Sequence, residues 1–273
     1  MIVEYAFAKL NLALDVVRKR NDGFHDLKMI MVPLELSDIL TFEESKEIIL
    51  ESNVSIENNA ILKTVHLMKE MFNVTDGVKI KLDKRIPIGA GLGGGSADIA
   101  ATVRGLNQLW NLDLSIKILE EICLKLGSDT LFCLHNKTAY VYGRGDSMLF
   151  IPTPPIKSVF LVYPEISVST KEVFSNHQIV FNPKKFNQLF TLYVNEKYQA
   201  FFKKTYNVLS ETTHKLYPEI SHLERKILKI NKNSRMSGSG STVYIPVFKE
   251  NEDKIAKKCE KLPYKVLKTQ VKR

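Results

Sequence analysis

The 273-residue chain is poor in the features that would place it outside a reducing, aqueous compartment. It has three cysteines, Cys123, Cys133 and Cys259, an odd number without metal-ligand spacing. A disulfide framework and a thiolate metal site are therefore not expected, and a reducing, cytoplasmic location is. No apolar run approaches the roughly 18 residues of a membrane span. The opening residues "MIVEYAFAKLNLALDVV" lack a basic segment and carry Glu4, Lys9 and Asp15, so they do not read as a signal peptide. Internal repeats and low-complexity tracts are absent as well.

The charge balance is uneven. Thirty-nine basic residues against thirty acidic ones give a net charge of +9. The excess is spread along the chain rather than clustered, as in a lysine-rich soluble surface. It would still favour phosphate-bearing ligands.

Local patterning predicts a mixture of strands and helices. Residues 10–17 and 27–34 read as strands joined through the Asp22-Gly23 turn. Residues 60–72 place Ile61, Val65, Met68 and Phe72 at helical spacing. Residues 78–86 alternate apolar and charged side chains, as a half-exposed strand does. Helices are predicted over 96–110, with Ser96 as N-cap, and over 115–127, closed by Gly127. Strands are predicted at 138–143 and 157–164, and helices at 184–194, 220–230 and 252–262. A small-residue loop, "RMSGSGS", runs into a further strand. Strict strand-helix alternation is missing, so the class is α+β. The "PTPP" stretch at 152–155 is the expected linker, dividing an ATP-binding domain, 1–153, from a substrate-side domain, 154–273.

The stretch "PIGAGLGGGSADIA" (87–100) packs five glycines into seven positions. Gly89, Gly91 and Gly94 satisfy G-x-G-x-x-G, but the preceding strand has a charged face and the following helix leads into another helix. That is not a dinucleotide-binding unit. The phosphate-loop pattern fails because Gly95, not lysine, precedes Ser96. The protein-kinase pattern fails for want of H-R-D and D-F-G. The physical content survives these failures. A glycine turn that opens a helix presents bare backbone N–H groups at the positive end of a helix dipole, which is an anion site.

On these residues the chain resembles the superfamily of galactokinase, homoserine kinase, mevalonate kinase and phosphomevalonate kinase. "GLGGGSADIA" is similar to its second motif and "RMSGSGSTVY" to its third. "AFAKLNLALDV", "RNDGFHDL" and "LGSDTLFCL" resemble in particular the members that act on a cytidylyl-linked sugar-alcohol diphosphate. The resemblance runs from about residue 5 to 247. It implies an N-terminal domain like the second domain of ribosomal protein S5, a ferredoxin-like C-terminal domain, and ATP and acceptor meeting in the cleft between them. It also implies Mg²⁺ with the ATP, a small-molecule acceptor, and no nucleic-acid or membrane partner.

The resemblance assigns roles position by position. Lys9 and Asp129 match the catalytic lysine and the acid that accepts the hydroxyl proton. From pattern alone, Lys9 could snorkel to the surface and Asp129 could be a turn or cap. Asn59, Pro87, Gly89, Ala90, Gly91, Leu92, Gly93, Gly94, Gly95, Ser96 and Ala97 match nucleotide-binding positions. Asp98 is expected to point away from the phosphates. Asn11, Phe24, His25, Thr170 and Phe174 match the acceptor side, with Phe24 and Phe174 expected to face each other across the base. The chain departs from the pattern at four of these segments: Phe7 stands for a proline, Phe24 for a tyrosine, Glu165 for a glycine, and Leu131 for the proline two residues after Asp129. Another kinase of the superfamily and a basic nucleic-acid-binding protein with an S5-like fold are the competing readings.

Overall fold

The structure is a computed structural model describing residues 1–56, 59–248 and 252–273. The elements run β1 (Ile2–Lys19), β2 (His25–Ser45), β3 (Ile48–Ser52), α1 (Ala60–Phe72), β4 (Gly77–Asp83), α2 (Gly94–Leu109), α3 (Ile116–Leu126) and α4 (Thr130–His135). They continue with β5 (Ala139–Gly143), β6 (Ser147–Phe150), β7 (Ser158–Tyr163), α5 (Thr170–Asn176), α6 (Pro183–Val194), α7 (Tyr198–Lys204), α8 (Leu209–Leu216) and α9 (Pro218–Ile230). The chain finishes with β8 (Arg235–Met236), β9 (Val243–Val247), α10 (Glu252–Cys259) and β10 (Lys265–Thr269). The expected α+β class holds.

The chain forms two compact units, each assembled from three segments. One comprises Met1–Ala8, Leu36–Pro87 and Gly93–Asn136; the other comprises Lys9–Glu35, Ile88–Leu92 and Lys137–Arg273. This division does not follow a boundary after residue 153. β1 and β2, at 18 and 21 residues, are several times the usual strand length, and each passes from one unit into the other. "PTPP" joins β6 to β7 within one unit.

In the first unit, β4 pairs antiparallel with the second half of β2, from Ile39 opposite Asp83 to Ser45 opposite Gly77, and β3 pairs parallel with β4. Val78, Ile80 and Leu82 are buried and alternate with Lys79, Lys81 and Asp83, as the sequence pattern requires. α1, α3 and α4 pack on α2, whose inner face is Ala97, Ala100, Ala101, Val103 and Leu106. Phe42 of β2 is fully buried against Gly105 of α2.

In the second unit, β5 pairs antiparallel with the first half of β2 and forms a hairpin with β6. Four further strands form a sheet in the order β10-β7-β9-β8, with antiparallel ladders. In chain order this is strand, helices, strand, strand, helix, strand, the split β-α-β arrangement expected of a ferredoxin-like domain. Phe160, Val162, Val243, Ile245 and Val247 bury one face of the sheet against Leu223 and Ile227 of α9 and Ile255 and Cys259 of α10.

Gly105 gives a sharp test of the first unit's packing. An alanine in mid-helix normally gains about 1 kcal/mol over glycine. Here the added Cβ would lie 2.6 Å from Cζ of Phe42, in a core with no slack. Overpacking of that kind costs about 1–3 kcal/mol. Gly105→Ala is therefore expected to lower stability by up to about 2 kcal/mol in urea denaturation, and an increase would contradict the packing.

Candidate active site

The glycine turn is launched by a buried ionic clamp in the first unit. Asp38 sits in β2 with no exposed surface. One of its oxygens accepts the backbone N–H groups of Arg85 (2.6 Å) and Ile86 (2.7 Å). The other accepts from Nζ of Lys84 at 2.6 Å. Lys84 also donates to Asp98 of α2 at 2.5 Å. The turn before Pro87 is thus tied to strand and helix together, and Asp98 is turned inward on a cation, as expected. Burial pushes the Asp98 carboxyl up to about 7, opposed by Lys84 and reinforced by Asp38.

Helix α2 begins two residues earlier than predicted. Its N-cap is Gly93, at φ +71°, and not Ser96. Glycine enters the left-handed region without a Cβ penalty, so the chain turns straight into the helix and Ser96 falls in the first turn. The first turn carries no acidic residue, and no side chain caps it. The N–H groups of Gly94, Gly95 and Ser96 therefore open the helix without side-chain competition. A Cβ on Gly95 would meet nothing within 4 Å, whereas one on Gly94 would lie 3.1 Å from both Ile86 and the Lys84 ammonium.

In the same unit, Asp129 occupies the N-cap position of α4, half-buried, with no capping bond from its carboxylate. Thr130 pins the turn around it by donating to the carbonyls of Cys123 and Gly127, each at 2.5 Å. Ser96 lies 4.0 Å from where a Cβ on Gly127 would stand. Asn59 is the N-cap of α1, its Oδ1 accepting from the Ile61 N–H at 2.9 Å.

In the second unit, residues 88–92 lie against the "SGSGS" loop joining β8 and β9. Ser237 donates to the Gly91 carbonyl at 3.0 Å, and the Thr242 N–H donates to the Ala90 carbonyl at 3.2 Å. The Val168 N–H donates to Gly89 (3.0 Å) and the Lys9 N–H to Leu92 (2.9 Å). Side chains on Gly89 or Gly91 would collide with Ser167 and with the Ser237 carbonyl. These glycines serve close packing of one loop on another.

Lys9 does not snorkel. It is 5% exposed, and its Nζ donates to Oδ1 of Asn11 at 2.6 Å. Asn11 is buried too, and its N–H donates to Ser237 Oγ at 3.4 Å. A Cβ on Gly238 would stand 3.1 Å from the Lys9 ammonium. Small residues are thus needed beside the lysine.

The residues expected on the acceptor side all lie in the second unit. Phe174 packs on His25, with centroids 5.1 Å apart and planes at 33°. Phe24 is 47% exposed and lies under the Arg144 guanidinium at 5.4 Å. His25, the first residue of β2, is thus the ring in direct contact with Phe174. Burial and the Lys19 charge hold the His25 imidazole below its ordinary pKa range. Thr170 begins α5, its hydroxyl 2.9 Å from that of Ser239. Glu165, where glycine was expected, adopts the left-handed conformation at φ +59°, so the glycine-type turn persists at a cost in strain. Phe7, in place of proline, stacks on Tyr5 at 6.1 Å.

Sequence reasoning missed Asp38, Lys84 and Arg144. Lys84 stood only three residues before Pro87 in an alternating strand, where a charged residue reads as solvent-facing. Asp38 carried no signal.

The clamp has a pH signature. Asp98 has a higher pKa folded, about 7, than its ordinary 3.8. Its contribution to stability is therefore full below about pH 4 and lost as pH rises through 7. Asp98→Asn keeps the shape without the proton, and is expected to flatten that part of the stability–pH curve. An unchanged slope between pH 4 and 7 would remove Asp98 as its source.

Comparison with known proteins agrees with this geometry. Residues 59–137 match the family described as GHMP kinases N terminal domain. A 4-diphosphocytidyl-2-C-methyl-D-erythritol kinase of Macrococcus caseolyticus (strain JCSC5402) is 40% identical over 270 residues, covering 93% of each chain. One from Geobacillus sp. (strain WCH70) is 39% identical over 246 residues, covering 87% of this chain and 85% of that one. A crystal structure of 4-(cytidine 5'-diphospho)-2C-methyl-D-erythritol kinase superposes with a TM-score of 0.80 over all of both chains at 25% identity. The Methanococcus jannaschii mevalonate kinase shares the fold, with a TM-score of 0.73 at 15% identity over 100% of this chain and 98% of that one. With its glycine turn, buried lysine and small-residue loop, this chain belongs to the 4-diphosphocytidyl-2-C-methyl-D-erythritol kinase family, within the GHMP kinases.

Proposed function

We infer that the chain transfers the terminal phosphoryl group of ATP to the 2-hydroxyl of 4-diphosphocytidyl-2-C-methyl-D-erythritol, in the non-mevalonate route to isoprenoid precursors. The observation that carries this reading is the glycine turn. It delivers bare backbone N–H groups to the start of a 16-residue helix whose own early carboxylate, Asp98, is neutralised by Lys84. Such a surface suits a triphosphate.

Each chain segment then has a task. Residues 87–97 hold the phosphates, and Asn59 contacts the nucleotide with the amide nitrogen that its capping bond leaves over. All of these fall within residues 1–153, the proposed ATP-binding part. Asp129 orients the acceptor hydroxyl and takes its proton as the new P–O bond forms. Lys9, fixed by Asn11, offsets the charge spread over the transferring group. Phe24, His25, Thr170 and Phe174 hold the cytidylyl end, and Asn11 borders the reacting end.

Mg²⁺ enters as part of the nucleotide. Among the described residues no group of three or more His, Cys, Asp or Glu side chains is placed to hold a metal ion. That fits a cation carried mainly by substrate phosphates and water. When bound, it screens the phosphate charge. A cytoplasmic setting accords with three buried cysteines that form no disulfide.

Three measurements test the reading. In a coupled assay with a panel of acceptors, turnover should be confined to the cytidylyl substrate. Asp129→Asn and Lys9→Ala should each lower kcat by at least about 10²-fold with little change in nucleotide affinity. Turnover of mevalonate or homoserine at a comparable rate would overturn the acceptor assignment. Gly95→Val separates ligand from fold, since an added Cβ there meets no atom within 4 Å outside its own helix backbone. It should raise the ATP KM at least about 10-fold, one lost charge-assisted contact, with little change in Tm. An unchanged ATP KM would refute the phosphate cradle.

A further inference from the structure

Glycine and serine leave a backbone free to take many shapes. In the "SGSGS" loop that freedom is removed, because four consecutive carbonyls, from Met236 to Ser239, each accept a hydrogen bond. Nδ2 of Asn207 donates to the carbonyls of Met236 (3.0 Å) and Gly238 (2.7 Å). The Gly240 N–H donates to Ser237 at 2.9 Å, and the Thr213 hydroxyl donates to the Ser239 carbonyl at 3.0 Å. Asn207 and Thr213 are both buried. The loop is thus held by α8 and by the segment that leads into it.

The Asn207 amide is committed at both ends. Its nitrogen serves two carbonyls, and its Oδ1 accepts the Leu209 N–H at 3.0 Å where α8 begins. A carbonyl only accepts and an N–H only donates, so these partners fix which way the amide faces. The backbone around it is laced to β1. The Leu14 N–H donates to the Tyr206 carbonyl and the Val208 N–H to the Leu14 carbonyl, both at 3.1 Å, and Thr205 donates to the Leu12 carbonyl. β1 also carries Lys9 and Asn11, so the anchor of the loop and the buried lysine share one frame. On its other side the loop meets that lysine. Ser237 accepts from the Asn11 N–H, and Gly238, at φ +57°, comes so close that a Cβ would stand 3.1 Å from the ammonium.

We propose that Asn207, seconded by Thr213, is a positioning residue for Lys9: it draws the loop carbonyls onto itself and so holds Gly238 and Ser237 in the one arrangement that leaves the ammonium aimed by Asn11. This rests on the role given to Lys9 above. Two carbonyls two residues apart, fastened to one amide, fix the backbone between them. That backbone sets Ser237 on Asn11, and Asn11 accepts from the ammonium at 2.6 Å. A buried carbonyl released from Asn207 would seek another donor. The Lys9 ammonium lies beside the loop, and a carbonyl turned onto it would draw it off line and take up part of its charge. Aspartate cannot replace asparagine here. It has the same shape, but it sets an acceptor oxygen against two acceptor carbonyls.

The test is a double-mutant cycle on single-turnover phosphoryl transfer, with ATP saturating and enzyme in excess over the cytidylyl acceptor, below the Tm of every variant. With Lys9 present, Asn207→Asp should slow transfer about 10- to 100-fold, the cost of a misplaced catalytic group. In the Lys9→Ala enzyme the same substitution should change the residual rate by less than about 2-fold, because the group it positions is gone. A purely structural role would slow both enzymes by the same factor, and that result rejects the proposal. Thr213→Val keeps the side-chain shape and removes the donor to the Ser239 carbonyl, so it carries the same cycle if Asn207→Asp does not fold. It should slow transfer about 3- to 10-fold with Lys9 present, the range of one neutral hydrogen bond, and leave the Lys9→Ala rate unchanged. Wild-type speed in the folded variant with Lys9 present would overturn this inference alone. A wild type that transfers nothing to the cytidylyl acceptor, or a Lys9→Ala enzyme at the wild-type rate, would overturn the reading beneath it, and the inference as well.

Discussion

The buried ammonium of Lys84, shared between Asp38 and Asp98, fixes where the glycine turn begins. Such a cluster is expensive to desolvate, and taking away one member strands the others. What it provides is direction. Asp38 holds the backbone of residues 85 and 86, Lys84 reaches up to α2, and the chain has one path into Pro87. The same contact removes Asp98 from competition with an incoming anion. A carboxylate in that helix turn would otherwise oppose the dipole-assisted site that the glycines create.

Smallness is used in two distinct ways along the glycine stretch. Gly89 and Gly91 have no room for a Cβ because another part of the protein fills the space. Gly95 has room, so its lack of a side chain leaves the helix start open to a ligand. The "SGSGS" loop repeats the first use: Ser237 braces Gly91 while Gly238 leaves space for the Lys9 ammonium. Lys9 is thereby buried without being isolated, since Asn11 takes a hydrogen bond from its ammonium. In the proposed reaction, a cation held this way would need little reorganisation as charge develops on the transferring group.

The acceptor side is organised by hairpin register. Antiparallel pairing of β2 with β5 sets the Phe24 turn beside the Arg144 turn, while His25 is the ring on Phe174. Phe24 closes the turn and His25 opens the strand, so the two need not share a partner. Phe24 is thereby left with one face under a cation and much of its surface in water.

Local chemistry was legible in the sequence. The helix over 60–72 appears at those residues, the alternation in 78–83 gives a half-buried strand, and the Asp22-Gly23 and Gly143-to-Gly145 turns are where glycine demands them. The positive-φ glycines of the turn that opens α2 could be read as well, because they depend on residues close in sequence. The N-cap of α2 was misplaced, since a left-handed glycine serves as well as a serine and leaves no side-chain signal. Contacts between distant residues decided the rest. That Lys84 is buried, that its partners are Asp38 and Asp98, that His25 rather than Phe24 meets Phe174, and that β1 and β2 each serve two compact units all depend on strand register and on space left by other segments. A charged residue reads as solvent-facing in a sequence until tertiary packing supplies an opposite charge at hydrogen-bond distance.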